Sequence, residues 1–119
     1  MKPVDPEKNL ILELTFQFAL RIIRTVEELE AARKYVVANQ LLKSGTSIGA
    51  NVHEAQSPES NDDFIHKMKI AAKEADETSY WLDICQHSAG YPDCNDLITK
   101  LGAIKKVLSK IISTSKRRS

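Results

Sequence analysis

Apolar residues recur at alternating spacings of four and three along most of the chain. The strict apolar–polar alternation of a half-buried strand is almost absent. In the first segment Ile11, Phe18, Ile22, Val26 and Leu29 form one stripe. Phe16, Ala19 and Ile23 broaden it, so a helix over about residues 7–30 is expected to meet more than one neighbour. Asp5 and Pro6 suit an N-cap and a first helical position. Leu41, Gly45, Ile48, Val52 and Ala55 repeat the spacing and predict a second helix, from residue 33 or 35 to residue 55. Residues 28–34 contain neither Gly nor Pro. One bent helix is therefore an alternative there, but a tight connection near residues 31–34 is preferred.

A third helix is expected over about residues 59–87. Two starts compete: Ser57 with Pro58, or Ser60 with Asp63 three residues on. Phe64, Met68, Ala71, Ala75, Thr78, Leu82 and Cys85 hold the 4-3 spacing without a gap, and Ile65, Ala72, Trp81 and Ile84 extend that surface. The run Ser88-Ala89-Gly90-Tyr91-Pro92-Asp93 reads as a turn. Leu97, Leu101, Ile104, Leu108 and Ile111 predict a fourth helix over about residues 95–113, widened by Ile98, Val107 and Ile112. Residues 114–119 show no packing pattern and are expected to be mobile. Four amphipathic segments with short connections predict one domain over residues 1–119. It is all-α: an antiparallel, up-down-up-down, left-handed four-helix bundle.

One stretch of the second helix is unusual for a helix. QLLKSGTSIGANVHEAQ, residues 40–56, holds Ser44, Gly45, Thr46, Ser47, Gly49 and Asn51. Two interior glycines cost a helix roughly 1.6–2 kcal/mol relative to alanine, and Ser, Thr and Asn add smaller penalties. Gly45 and Gly49 are four apart and share a face, where a backbone or bulky side chain can approach closely. The run reads first as a packing device. Gly45, Ser47, Gly49, Asn51, Glu54 and Trp81 are the candidates for helix packing or an interface. Ser47 and Asn51 are expected to hydrogen-bond across the bundle or a subunit boundary, because an unpaired buried amide is costly.

Composition adds bounds. The 119 residues are 42% hydrophobic and 28% charged with formal net charge +1, an ordinary soluble balance. No apolar run reaches the ~18–20 residues that span a bilayer. The N-terminal MKPVDPEKN has acids where a signal peptide has its apolar segment, so a cytoplasmic location is expected. Cys85 and Cys94 are expected to be reduced thiols. With His87 they lack a C-x-x-C pair and a fourth ligand for zinc. Asp63 and His66 form one imperfect half of the Glu-x-x-His pairs that di-iron bundles require. SGTSIG lacks the Gly-Lys-Ser/Thr ending of a phosphate-binding loop, and its serines have no evident base. No catalytic residue, metal or cofactor is expected.

Charge is uneven. From Leu97 onward come Lys100, Lys105, Lys106, Lys110, Lys116, Arg117 and Arg118 with no acid, whereas Glu54 to Asp96 holds ten acids and three lysines. One reading is that the third and fourth helices pair their charges. The other is a strip facing nucleic acid, formed by Lys100, Lys105, Lys106, Lys110, Arg117 and Arg118.

QLLKSGTSIGANVHEAQ, then ESNDDFIHKMKIAAKEADETSYWL, then the Gly-Tyr-Pro turn resemble the bacterial four-helix-bundle proteins of the 23S rRNA intervening-sequence type. The resemblance runs from about Leu14 to Ile112 and is strongest in the second and third helices. It implies an antiparallel bundle assembled as a ring-shaped homopentamer, without enzymatic activity. A related branch, the accessory variability protein of diversity-generating retroelements, binds nucleic acid and partners a reverse transcriptase. The resemblance thus raises the expectation of RNA or DNA binding, with a reverse transcriptase or RNA-processing protein as a partner. The alternative is a structural or protein-binding scaffold without nucleic-acid contact.

Overall fold

The computed structural model describes residues 6–118. Four α-helices cover most of them: α1 (Pro6–Ala31), α2 (Tyr35–Glu54), α3 (Asn61–Gln86) and α4 (Asn95–Arg117). The expected Asp5 cap lies outside the described residues. The helices pack in a closed square, α1 on α2, α2 on α3, α3 on α4 and α4 back on α1, and the backbones of diagonal pairs stand further apart. The molecule is a rod of 49 × 21 × 20 Å. Short connections leave antiparallel neighbours as the only way to bury four stripes. The seams meet along the axis, where Ile11, Phe18, Ile22, Leu41, Ile48, Met68, Leu82, Leu101, Ile104 and Leu108 are fully buried.

The α1–α2 connection is tight and contains no glycine. Arg33 takes the left-handed conformation at φ 62°. Its amide donates to Glu30 O (2.9 Å), and the Lys34 amide donates to Leu29 O (2.8 Å). This pair of bonds is a Schellman ending, in which the left-handed position is usually Gly. An arginine there hides the break from sequence inspection.

Of the two possible starts for α3, the structure selects the second. Ser57 and Pro58 lie exposed in the connection. Ser60 caps the helix, its hydroxyl accepting from the Asp63 amide at 3.0 Å. The Asp63 carboxylate in turn accepts from the Glu59 amide at 3.0 Å. That bond, followed by Lys67, holds the Asp63 carboxyl below its ordinary value. Reciprocal bonding of this kind satisfies amides that have no partner within the helix.

The C-terminal expectation needs correction. α4 does not stop near Ser113 but continues to Arg117. Ser115 is buried, and its carbonyl accepts from Asn61 Nδ2 at 3.1 Å. Ser115 stands four residues after Ile111 and so extends the seam. Its small polar side chain concealed the pattern.

Candidate interaction surfaces

The glycine-bearing face of α2 packs on α1. A Cβ placed on Gly45 would lie 2.8–3.0 Å from three Ile22 side-chain atoms. One placed on Gly49 would lie 3.3 Å from the Thr15 carbonyl oxygen. The first distance is an overlap; the second is tight against backbone. Thr15 is buried and turns its hydroxyl back to Ile11 O at 2.7 Å, so no polar group on it is left unpaired.

Outside this seam the same small residues leave a shallow groove of about 280 Å3, walled by Leu12, Phe16, Ala19, Thr46, Ala50 and His53. Phe16 is 59% exposed, Ile23 41% and Leu42 37%. The broad stripe of α1 suggested more than one neighbour, and α1 does pack on both α2 and α4. Phe16 and Ile23 are not what it buries there: both stay exposed as an open apolar lane on the outer side of the α1–α2 pair.

Across the other side of α2, Ser44 and Thr78 are both fully buried and share a hydrogen bond at 3.0 Å. Thr78 also bonds Glu74 O at 2.7 Å. The expectation for Ser47 and Asn51 does not hold within the chain. Ser47 donates to Lys43 O at 2.6 Å and Asn51 to Ser47 O at 2.8 Å. Both turn back onto their own helix rather than across the bundle, because half-buried positions on a helix offer carbonyls one turn earlier. Glu54 is exposed. Trp81 is half-buried, edge-on to Tyr80 with centroids 5.3 Å apart. Its Nε1 is buried and finds no acceptor among the described residues.

The basic run of α4 is divided. Lys105 turns toward α3 and pairs with Asp76 at 3.2 Å. Lys110 pairs with Glu7 at 2.8 Å, and that carboxylate raises the Lys110 pKa. Lys100, Lys106, Arg117 and Arg118 are exposed, and no ion pair to an acid holds them among the described residues. Lys106, Lys110 and Arg117 are spaced by four and seven, which puts them on one outer line of the helix. Lys100 falls off that line. Arg21 of α1 pairs with Asp96 at the start of α4.

The groups with possible reactivity are dispersed. His66 is exposed, while Asp63 is engaged with Glu59 and Lys67. His87 is exposed and contacts Asp83 O at 2.9 Å through Nδ1, whereas Cys85 and Cys94 are buried free thiols. His53 and Glu54 both face solvent. Among the described residues no cluster of three or more His, Cys, Asp or Glu is placed to hold a metal ion. Among the described residues no helix is long and apolar enough to cross a membrane.

Fold and surfaces define a small antiparallel helical bundle whose distinctive features are close helix packing and segregated surface charge. Residues 7–110 match the family model described as 23S rRNA-intervening sequence protein, and the chain belongs to that family. A solved structure from Bacteroides thetaiotaomicron VPI-5482 is similar throughout. It is a protein of unknown function from the S23 ribosomal protein family, 36% identical, with TM-score 0.86, covering 90% of this chain and 98% of its own. No curated protein matches the chain.

Proposed function

We propose that the chain is a non-catalytic, self-associating scaffold that binds RNA or DNA through the outer face of α4, with a ring of five copies as the assembly. The carrying observation is the sign of that face. From Leu97 to Arg118 there is no acid, and Lys106, Lys110 and Arg117 share one line. Five such faces in one ring would combine into a strong local potential. The open lane at Phe16, Ile23 and Leu42 supports self-association, since contiguous exposed apolar surface favours burial against a partner. The family's ribosomal RNA context supports RNA as ligand, with an RNA-processing protein or a reverse transcriptase as partner.

A second reading has its own observation. Lys105 and Lys110 already have acidic partners, which suits a scaffold that binds only protein.

One experiment separates them. Binding of labelled RNA and single-stranded DNA is measured at low and moderate salt, alongside native mass spectrometry for copy number. Phosphate contacts release counterions, so affinity should fall steeply with salt. Replacing Lys106, Arg117 and Arg118 with Gln should weaken binding at least tenfold without changing copy number. No detectable binding at low salt removes the nucleic-acid reading, and a monomer at micromolar concentration removes the ring.

A further inference from the structure

Beside its core seam, each of α1 and α2 carries a second one. On α1 it is Leu12, Phe16, Ala19, Ile23, Val26 and Glu30; on α2 it is Tyr35, Asn39, Leu42, Thr46, Gly49 and His53. Both sets hold 4-3 spacing one residue on from the core positions, about 100° further round each helix. They line two hollows that follow one another along the α1–α2 groove. One, of about 280 Å3, runs from Leu12 and His53 to Ala19 and Thr46. The next, of about 220 Å3, runs from Val26 and Leu42 to Glu30 and Tyr35. Exposed Ile23 comes between them in the α1 seam.

Among the described residues, seven of the eight exposed large hydrophobic side chains are on α1 or α2, and the eighth is Tyr80 of α3. Exposed apolar surface is thus concentrated on one helix pair, and α3 and α4 offer nothing comparable to cover it. If another copy covers the lane with apolar surface, it does so with the same face.

We propose that the α1–α2 face is a two-fold contact, in which two copies lie antiparallel with lane against lane. Such a contact joins like faces, whereas a closed ring joins unlike ones. It goes beyond the proposed ring, stands beside the ring contact, and leaves the outer face of α4 free. A ring with both contacts holds ten copies; this contact alone gives a dimer.

Size and charge both fit. The lane spans residues 12–30 of α1, about 27 Å at the helical rise. The long side of the rod measures 49 × 21 Å, about 1,000 Å2 in projection, and a stable interface takes about 800 Å2 from each partner. The titratable groups lining the lane stand at its ends: His53 at one, Glu30 and Tyr35 at the other. An antiparallel two-fold arrangement brings each His53 opposite Glu30 of the second copy. A parallel one would set Glu30 against Glu30, which like charge disfavours.

The test uses the full-length chain at micromolar concentration, read by native mass spectrometry and sedimentation. The expected copy number is even, two or ten. Phe16→Glu, at a position 59% exposed, should halve it and weaken pairing by roughly tenfold or more, with helical circular dichroism unchanged. Ile23→Cys, near the middle of the lane, should cross-link to its own counterpart through a short bis-maleimide. Only a two-fold contact brings a residue close to itself, and the unsubstituted chain, whose two cysteines are buried, should not link. His53→Glu should weaken pairing by roughly threefold, and adding Glu30→Lys should restore it. Five copies without the Ile23 link would give the lane to an unlike face, overturning the proposal and keeping the ring. A dimer with the link would support the proposal and remove the ring. A monomer would leave the lane to a partner of another kind and overturn both. Failure of Glu30→Lys to rescue His53→Glu would overturn the antiparallel pairing.

Discussion

Gly45 and Gly102 are the same residue in the middle of helices in one bundle, yet their surroundings are opposite. A Cβ on Gly45 would run into Ile22, whereas one on Gly102 would meet nothing within 4 Å. On α2 the missing side chain is what lets α1 come close. On α4 it is a cost to the helix with no return inside the chain. A glycine in a helical sequence is therefore not by itself a packing signal. What it faces decides its meaning, and the helix periodicity alone assigns that face.

The largest effects should come from altering either side of the closed Gly45–Ile22 contact. Gly45→Ala gains ~1 kcal/mol of helix propensity but forces an overlap with Ile22, for a net loss of about 1–3 kcal/mol. Ile22→Ala alone should lose about 2–5 kcal/mol. In the double variant the new methyl enters the space vacated by Ile22, so its loss should fall short of the sum by ~1 kcal/mol or more. Urea denaturation of the four proteins measures this. Additive losses would show that Gly45 and Ile22 do not constrain each other.

Filling the open site should do the reverse. Gly102→Ala should stabilise the chain by about 1 kcal/mol, since nothing obstructs the methyl. Destabilisation accompanied by a change in copy number would show that a neighbouring copy packs on Gly102. Smallest of all should be the loss of a charge pair beside the open face. Asp76→Asn leaves Lys105 without its 3.2 Å partner. Asp76 is 76% exposed, so thermal denaturation should register no more than ~0.5 kcal/mol.

The helices were legible because 4-3 spacing of apolar residues leaves few other ways to bury them. The details that escaped share one cause: a residue of unexpected type at a regular position. Arg33 occupies a left-handed site that usually holds Gly, so the α1–α2 break had no marker. Ser115 continues the α4 seam without being apolar, so the last turn looked like a tail. Ser57 and Pro58 matched a helix start as well as Ser60 did; only the mutual bonding of Ser60, Asp63 and Glu59 separates them. At the surfaces, the run of like charge on α4 was visible, but which lysines are already engaged was not. Asp76 and Glu7 stand on other helices, and a one-dimensional pattern does not place them beside Lys105 and Lys110. Ser47 and Asn51 were expected to bond across the bundle or a subunit boundary because their type suits it, yet within the chain a carbonyl one turn back was nearer.

The hydroxyl contact between Ser44 and Thr78 has one more consequence. The apolar teeth of α2 and α3 repeat so regularly that a slip of a whole turn, about 5.4 Å, would still mesh hydrophobic side chains. It would also leave Ser44 against a partner that offers it no oxygen. A single polar match in an otherwise greasy rack works as an indexing mark, so the two rods settle into one alignment among several of similar burial.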